Sequence, residues 1–491
     1  MAARARGTPV KKAPRHLVWL RADLRAADNT ALAAACADAG AEVACVYAIT
    51  PAQWRAHDMA GVRVDFELRT LAALQRTLDD LNIPLLVIET ADFASLPAAF
   101  SALVQAHGID AVFANRQYEV NEITRDEAVA AVLAPLQVPL QLFHDQCVLP
   151  PGRVLTGEGR FYAVFTPFKR NWLAQIDTTG LALSPVPSPR RGRFATNSVL
   201  PREVADFTSH VSADIAADWW PAGEDAALAR LAAFVRDGLA RYDETRDFPA
   251  QDGVSRLSPY LAMGAISPRQ CLNAAFRFRA RHGNTKGVEQ WVSEIGWRDF
   301  YKHVLVGWPR VCRHRPFRLE TAHIPWRHDE ADFRAWCEGR TGFPIVDAAM
   351  RQLARTGWMH NRLRMIVAMF LTKDLFIDWR WGEKFFMQHL IDGDLSANNG
   401  GWQWSASTGN DAAPYFRIFN PLLQSQKFDP DGEFIRNYVP ELREVRDRSI
   451  HAPLPSMFSD YPPPMTDRRD VKDRVLMHFR DLKPLSQVVV D

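Results

Sequence analysis

Five short apolar runs, His16–Leu20, Glu42–Ile49, Leu85–Glu89, Ala111–Ala114 and Leu140–Phe143, punctuate the first part of this chain, and after Trp219 the pattern turns helical throughout. Between the runs lie Ala- and Leu-rich segments with helical spacing, such as Asn29–Ala39 and Val62–Leu81. Strand, helix and strand in alternation predict a mostly parallel sheet with helices on both faces. Further along, apolar residues recur at i, i+3, i+4 and i+7, as in Val346, Ala349, Met350 and Leu353, which predicts helices. The stretch between the two regimes is rich in Pro, Gly, Ser and Arg and reads as a connector. The expected organisation is therefore a Rossmann-like α/β domain over 16–145, a linker over 146–215 and a large all-α domain over 216–485. The first run leads into Arg21-Ala-Asp-Leu-Arg25 rather than G-x-G-x-x-G, so the α/β part lacks the dinucleotide fingerprint.

At 491 residues the chain exceeds a single core. No apolar run approaches the ~18 residues of a membrane span. Met1–Arg15 holds five basic residues without a following apolar stretch, so it reads as a disordered arm and not a secretory signal. The six cysteines are scattered with no C-x-x-C pair, and the histidines include no H-E-x-x-H. A disulfide framework or zinc site is not expected, and a reducing, cytoplasmic location fits. Charge is uneven: 16–145 carries 8 basic and 17 acidic residues, whereas 146 onward carries 46 and 40. The basic half suits a polyanionic partner, although a solvated face gives the same count.

Three segments carry chemistry. Asp392-Gly-Asp-Leu-Ser-Ala-Asn-Asn-Gly-Gly-Trp-Gln-Trp404 crowds acids, amides, glycines and indoles together, a composition suited to walling a planar, polar-edged ligand. On the helix expected over 288–305, Trp291, Glu294, Trp297, Arg298 and Tyr301 fall within an arc of roughly 120°. Such a stripe can stack a base and bond its edge, or form an interdomain face with a Glu–Arg pair. The helix expected over 359–376 sets Asn361 beside Met365 at i,i+4, with Arg362 and Arg364 flanking and Asp392 a candidate partner for Arg364. In Gly253-Val-Ser-Arg-Leu-Ser-Pro259, Ser258 is the expected N-cap with Pro259 at the first helical position.

With Trp358-Met-His-Asn-Arg-Leu-Arg-Met365 and Asn398-Asn-Gly-Gly-Trp-Gln-Trp404, these segments resemble the photolyase/cryptochrome family, on the side of bacterial class I cyclobutane pyrimidine dimer photolyases, from about His16 to Glu441. The resemblance implies an antenna domain, a linker and a helical domain binding U-shaped FAD. Tyr242, Val254, Ser255, Arg256, Leu257 and Ser258 would hold the FAD phosphates, and Trp291, Arg364, Asp392, Gly393 and Asp394 would flank the cofactor. Asn398 would face flavin N5, where an amide suits the anionic FADH⁻ form better than a carboxylate would. Glu294, Trp297, Asn361, Met365 and Trp404 would form the lesion pocket, and Arg246, Arg298, Tyr301, Arg362, Arg417 and Gln424 would grip DNA. Glu294, buried beside indoles, is expected to be a protonated acid. Trp402, Trp379 and Trp326 match the electron-transfer triad.

Asn121 and Glu122 in Tyr118-Glu-Val-Asn-Glu122 match the segment that binds 5,10-methenyltetrahydrofolate. There are two departures from the family pattern: Val254 stands where relatives have Thr, and Arg313 follows Cys312 where folate binders have Lys. The implied partner is ultraviolet-damaged DNA, bound by a monomer, with repair driven by light. The rival reading is a cryptochrome-type photoreceptor; against it stand the matching lesion-pocket residues and a chain that ends at Asp491. A (6-4) photolyase would carry a His pair where this chain has His360 followed by Asn361.

Overall fold

The computed structural model describes residues 13–192, 199–202, 204, 207, 217–454, 460–480 and 482. All five apolar runs are strands: β1 (Arg15–Leu20), β2 (Glu42–Ile49), β3 (Leu85–Glu89), β4 (Ala111–Asn115) and β5 (Leu140–Phe143). They form one parallel sheet in the order β3-β2-β1-β4-β5. β1 is central, with Val18 paired to Cys45 on one side and Phe113 on the other. Because side chains alternate across a strand, Val18 and Leu20 enter one core while Leu17 and Trp19 enter the opposite one. Both faces carry apolar cores, which is why the inner strands β1, β2 and β4 are mostly apolar.

The rest is helical, with cores built on the Lys286–Gly307 helix and on the Pro344–Thr356, Asn361–Met369 and Leu395–Ala406 helices. The first of these cores also takes Val62 and Phe66 from the Gly61–Asp80 helix of the α/β domain. Polar ties reinforce this seam. Asp145 pairs with Arg25 at 2.6 Å and with Arg269 at 2.8 Å, and Glu224 accepts from the backbone of Ala26 and Ala27. No helix among the described residues is long and apolar enough to cross a membrane.

Several boundaries differ from expectation. Arg15 belongs to β1, its side chain paired with Glu42, and the remainder of the expected arm up to Lys12 lies outside the described residues. The 146–215 stretch holds a helix, Phe165–Thr179, with Phe165, Phe168, Trp172 and Ile176 on its buried face. The Pro- and Gly-rich flanks hide that periodicity in the sequence. The helix expected over 359–376 runs as α-helix from Asn361 to Met369 and then widens into a π-turn over Phe370–Asp374. Ser258 is the first helical residue rather than the cap; Leu257 takes the N-cap position, and Ser258 Oγ accepts from Trp358 Nε1 at 3.2 Å.

Candidate active site

The Lys286–Gly307 helix is capped by Thr285, whose side chain accepts from Val288 N. Glu294 and Lys302 lie just over two turns apart along it, about 12 Å by the helical rise. Glu294 is not the indole-enclosed acid expected from the sequence. Its carboxyl forms an ion pair with Arg246 and accepts from Gln290 Nε2 at 2.9 Å. Arg246 and Arg362 both reach Asp247, at 3.7 and 2.8 Å. Arg362 Nη1 approaches Met365 Sδ at 3.9 Å, and its guanidinium lies 4.4 Å from the Phe428 ring centroid. Phe428 ends the Pro421–Phe428 helix that also carries Gln424. Four sequence candidates (Glu294, Arg246, Arg362 and Met365) thus belong to one continuous patch drawn from three segments, and Gln424 lies one turn before Phe428 on its helix. Asp247, the hinge of the patch, was not among the candidates.

Trp297 stacks on Phe165 with centroids 3.7 Å apart, while Trp404 is half-buried and Asn361 exposed at the start of its helix. Arg417 is exposed on the loop that follows the Leu395–Ala406 helix. Two residues expected on DNA are turned elsewhere. Arg298 donates to the carbonyls of Gln146 in the linker and Leu261 in the Ser258–Met263 helix. Tyr301 lies against Gly400, where any Cβ would meet its ring at 2.2 Å.

A second group lies around Asp392. Arg364 Nη2 bonds both carboxylate oxygens of buried Asp392, at 3.0 and 2.7 Å, and its Nε donates to Met359 O at 2.9 Å. Gly393 follows in a buried turn. Asn398 Nδ2 donates to the backbone carbonyl of Glu383 at 2.9 Å. Asp394, expected to cradle the flavin, spends its side chain otherwise. It caps the Leu395–Ala406 helix through Ala397 N and pairs with buried Lys302 at 3.0 Å. Lys302 also bonds Glu119 at 2.9 Å. Lys302 was missed, although it lies at i+4 from Arg298 and could have been found by continuing that helical stripe. Burial works against Lys302's charge, but Asp394 and Glu119 overcome it and hold the ammonium above its ordinary range. Burial likewise opposes the charge on Asp394, yet Lys302 and Arg298 hold it well below the usual carboxylate range.

The Gly253–Ser258 segment is tightly built. A Cβ on Gly253 would lie 2.6 Å from Thr245, and Arg256 adopts a left-handed φ of 50°. A non-glycine residue held there is a strained feature of the kind found at binding sites. Tyr242 lies nearby, with its ring 5.4 Å from the Arg246 guanidinium and edge-on to Phe234. Trp291 is buried against the same Phe234, so it packs as core.

The triad tryptophans share one core. Trp402 is 2% exposed, Trp379 1% and Trp326 8%, so all three are buried. The Trp402 ring lies over Gly382, one turn beyond Trp379, where a Cβ would meet it at 2.1 Å. Trp336, wholly buried, lies 6.0 Å from Trp402 in an edge-on contact that no sequence spacing signals.

Between the two domains lies a cavity of about 400 Å³ at the carboxyl ends of the strands, lined by Trp19, Arg21, Tyr47, His57, Glu122 and Arg313 among others. In an open parallel sheet this is the customary ligand crevice. Asn121 and Glu122 both face His57, at 3.0 and 3.6 Å. Burial, aided by Glu119, pushes the Glu122 carboxyl up to about 7.

Comparison with known proteins accords with this arrangement. Residues 16–190 match the family model described as DNA photolyase, and 291–481 match the FAD binding domain of DNA photolyase. Deoxyribodipyrimidine photo-lyase of Vibrio cholerae is 46% identical over 95% of this chain and 99% of that protein. The Escherichia coli protein of that name is 45% identical over 94% and 98%. Among solved structures, a class III photolyase from Agrobacterium tumefaciens superposes with a TM-score of 0.85 at 34% identity, covering 98% of this chain and 99% of that one. A cryptochrome from Synechocystis superposes with a TM-score of 0.83 at 28% identity, covering 96% and 100%. The chain belongs to the DNA photolyase family.

Proposed function

We propose that this protein repairs cyclobutane pyrimidine dimers in DNA under light, with FAD in its reduced anionic form as the electron donor. The observation that carries the reading is the continuous patch Glu294–Arg246–Asp247–Arg362–Met365, in a helical domain that also holds the buried Arg364–Asp392 pair and Asn398. The residues present fit FAD. Arg256 Nε, His360 Nε2, Arg362 Nε and Gln424 Oε1 are buried side-chain atoms with no protein partner, and the first two lie in or beside the segments assigned to the cofactor. Bound and excited by light, reduced FAD would supply the electron that opens the cyclobutane ring.

The chain's own residues do the rest. Ser255, Arg256, Leu257 and Ser258, with Tyr242 and the backbone of Val254, would hold the pyrophosphate, and Arg364–Asp392 the flavin side. Asn398 would present its amide to N5. Asp394 acts indirectly, by capping the helix that carries Asn398. Glu294 would bond the pyrimidine edge, Trp297 and Trp404 would wall the flipped lesion, and Asn361 and Met365 would line its floor. Arg246, Arg362, Arg417 and Gln424 would meet the phosphates beside it. A dimer already disturbs stacking, so extruding it costs less than extruding intact bases, which favours damaged sites. Trp402, Trp379 and Trp326 would carry electrons inward to an oxidised cofactor. The interdomain cavity would take a folate antenna through Asn121 and Glu122. The protein would act as a monomer in the bacterial cytoplasm.

Irradiating a dimer-containing oligonucleotide with the reduced holoprotein tests the reading. Monomer bases should appear in the light and not in the dark. Flavin photochemistry without repair would establish a cryptochrome-type photoreceptor instead.

A further inference from the structure

Two adjacent asparagines in the Leu395–Ala406 helix are tied to one residue of the neighbouring Trp379–Met387 helix. Asn398 Nδ2 donates to the Glu383 carbonyl at 2.9 Å, and Asn399 Nδ2 donates to Glu383 Oε1 at 2.9 Å. The other carboxyl oxygen, Oε2, lies 2.9 Å from His314 Nδ1. Glu383 is buried, whereas the His314 side chain is 54% exposed. A second line of bonds locks Asn399 from behind: Gln403 Nε2 donates to Asn399 Oδ1 at 2.8 Å, and Gln403 Oε1 accepts from Phe317 N at 2.7 Å. Arg380 Nε holds the His314 carbonyl at 2.8 Å, and His314 itself takes a left-handed φ of 56°. His314 and Glu383 both line the interdomain cavity, so a hydrogen-bonded line runs from that cavity to Asn398.

A buried carboxyl is costly unless both oxygens are satisfied, and here Asn399 and His314 satisfy them. The consequence falls on Asn398. A side-chain amide presents an acceptor on one flank and a donor on the other, so its flip decides which protonation state of a facing nitrogen it favours. Donation from Nδ2 to the Glu383 carbonyl fixes that flip only while the Glu383 backbone is held in place. The Trp379–Met387 helix holds that backbone, and the carboxyl, anchored by His314, ties this helix through Asn399 to the Leu395–Ala406 helix one residue from Asn398.

We propose that Glu383 and His314 are positioning residues that fix the flip of the Asn398 amide and thereby bias the redox form in which the pocket holds its flavin. This rests on the reading of Asn398 as the residue facing flavin N5.

The test uses purified holoprotein and follows, by absorption, how fast photoreduced flavin reoxidises in air. Flavin content per chain serves as the folding control. Asn398→Ser, Glu383→Ala, Glu383→Gln and His314→Ala are compared with wild type. Glu383→Ala should speed reoxidation about three- to ten-fold, the size of one net hydrogen bond. His314→Ala should act in the same direction and less strongly. Glu383→Gln, which keeps an acceptor toward Asn399, should return close to wild type. Combined with Asn398→Ser, Glu383→Ala should add nothing further. If Asn398→Ser changes the rate while flavin-replete Glu383→Ala does not, the positioning proposal is overturned. If Asn398→Ser leaves the rate unchanged, the reading of Asn398 fails and the proposal falls with it. Should Glu383→Ala lose its flavin, a wild-type rate in His314→Ala overturns the proposal.

Discussion

The charges facing the interdomain cavity and those on the proposed lesion face are built on opposite plans. At the cavity, the Lys302 side chain is only 3% exposed and is shared between Glu119 and Asp394, two carboxylates on one ammonium. On the lesion face, Arg246 and Arg362 are each 17% exposed, and their partners Glu294 and Asp247 are 28% and 32% exposed. Exposed Arg417 adds a further positive charge. The first arrangement is closed and links the two domains, Glu119 on one side with Lys302 and Asp394 on the other. The second is less deeply buried and, with Arg417, carries spare positive charge, which suits exchange of an internal acid for a phosphate. Removing a charge should therefore be an event of stability in one place and of binding in the other.

The largest expected effect tests the closed arrangement. Lys302→Met strands two buried carboxylates, and breaking such a pair costs about 3–5 kcal/mol. Chemical denaturation should show that loss; an unchanged midpoint would refute the idea that the triad holds the domains together. The same triad has a pH signature. Asp394 and Glu119 are held below their ordinary range, so their contribution is present above about pH 4 and fades as pH falls further. Lys302 is held above its ordinary range, so its contribution is full below about pH 10 and fades as pH rises beyond that.

Next in size, Gly382→Ala drives a methyl into the Trp402 ring, and overpacking of this kind costs about 1–3 kcal/mol. Photoreduction should slow in the folded variant, while repair by chemically pre-reduced protein stays near wild type. Trp402→Phe should abolish photoreduction and likewise spare repair by pre-reduced protein; persistent photoreduction would remove Trp402 from the path.

The less buried arrangement predicts smaller changes of another kind. Arg362→Ala should cost about 1 kcal/mol of stability, well below the loss in Lys302→Met. It should also reduce the slope of log affinity for DNA against log salt by about 1. A loss of stability with unaltered salt dependence would erase the contrast drawn above. Repair yield should fall further in Glu294→Ala than in Glu294→Gln, and equal yields in both variants and wild type would remove Glu294 from the lesion pocket.

The smallest effect concerns the cavity itself. With the Glu122 carboxyl at about 7, an antenna that accepts a hydrogen bond from the protonated acid should bind more tightly below pH 7 than above it. Folate titrations across that range should show the change in wild type and not in Glu122→Gln.

Much of the fold was legible because its signals are local. Three of the five strands, β2, β3 and β5, have the bounds read from their apolar runs; in β2 and β3 the mark is left by apolar residues buried on both faces, whereas β5 is a half-exposed edge strand. The Lys286–Gly307 helix was equally plain from its periodicity. The Phe165–Thr179 helix was not, because proline and glycine on either side masked four apolar residues at helical spacing. At Ser258 the local rule for caps was overridden by a tryptophan exactly 100 positions away in no sequence pattern, Trp358, whose indole claimed the hydroxyl.

What the sequence determined by itself is the alternation that builds the sheet, the helical remainder, and the identity of the chemical groups from Asp392 to Trp404. What only the tertiary structure decided is where each charge is spent. Arg298 and Tyr301 share a helical stripe with Glu294, yet one is taken by the linker and the other by Gly400. Lys302 finds Glu119 across 183 positions, and Glu294 finds Arg246 across 48. Periodicity is a property of neighbours along the chain and can be read there. A buried charge takes whatever counter-charge the fold brings within reach, and that choice exists only once the domains have closed on each other.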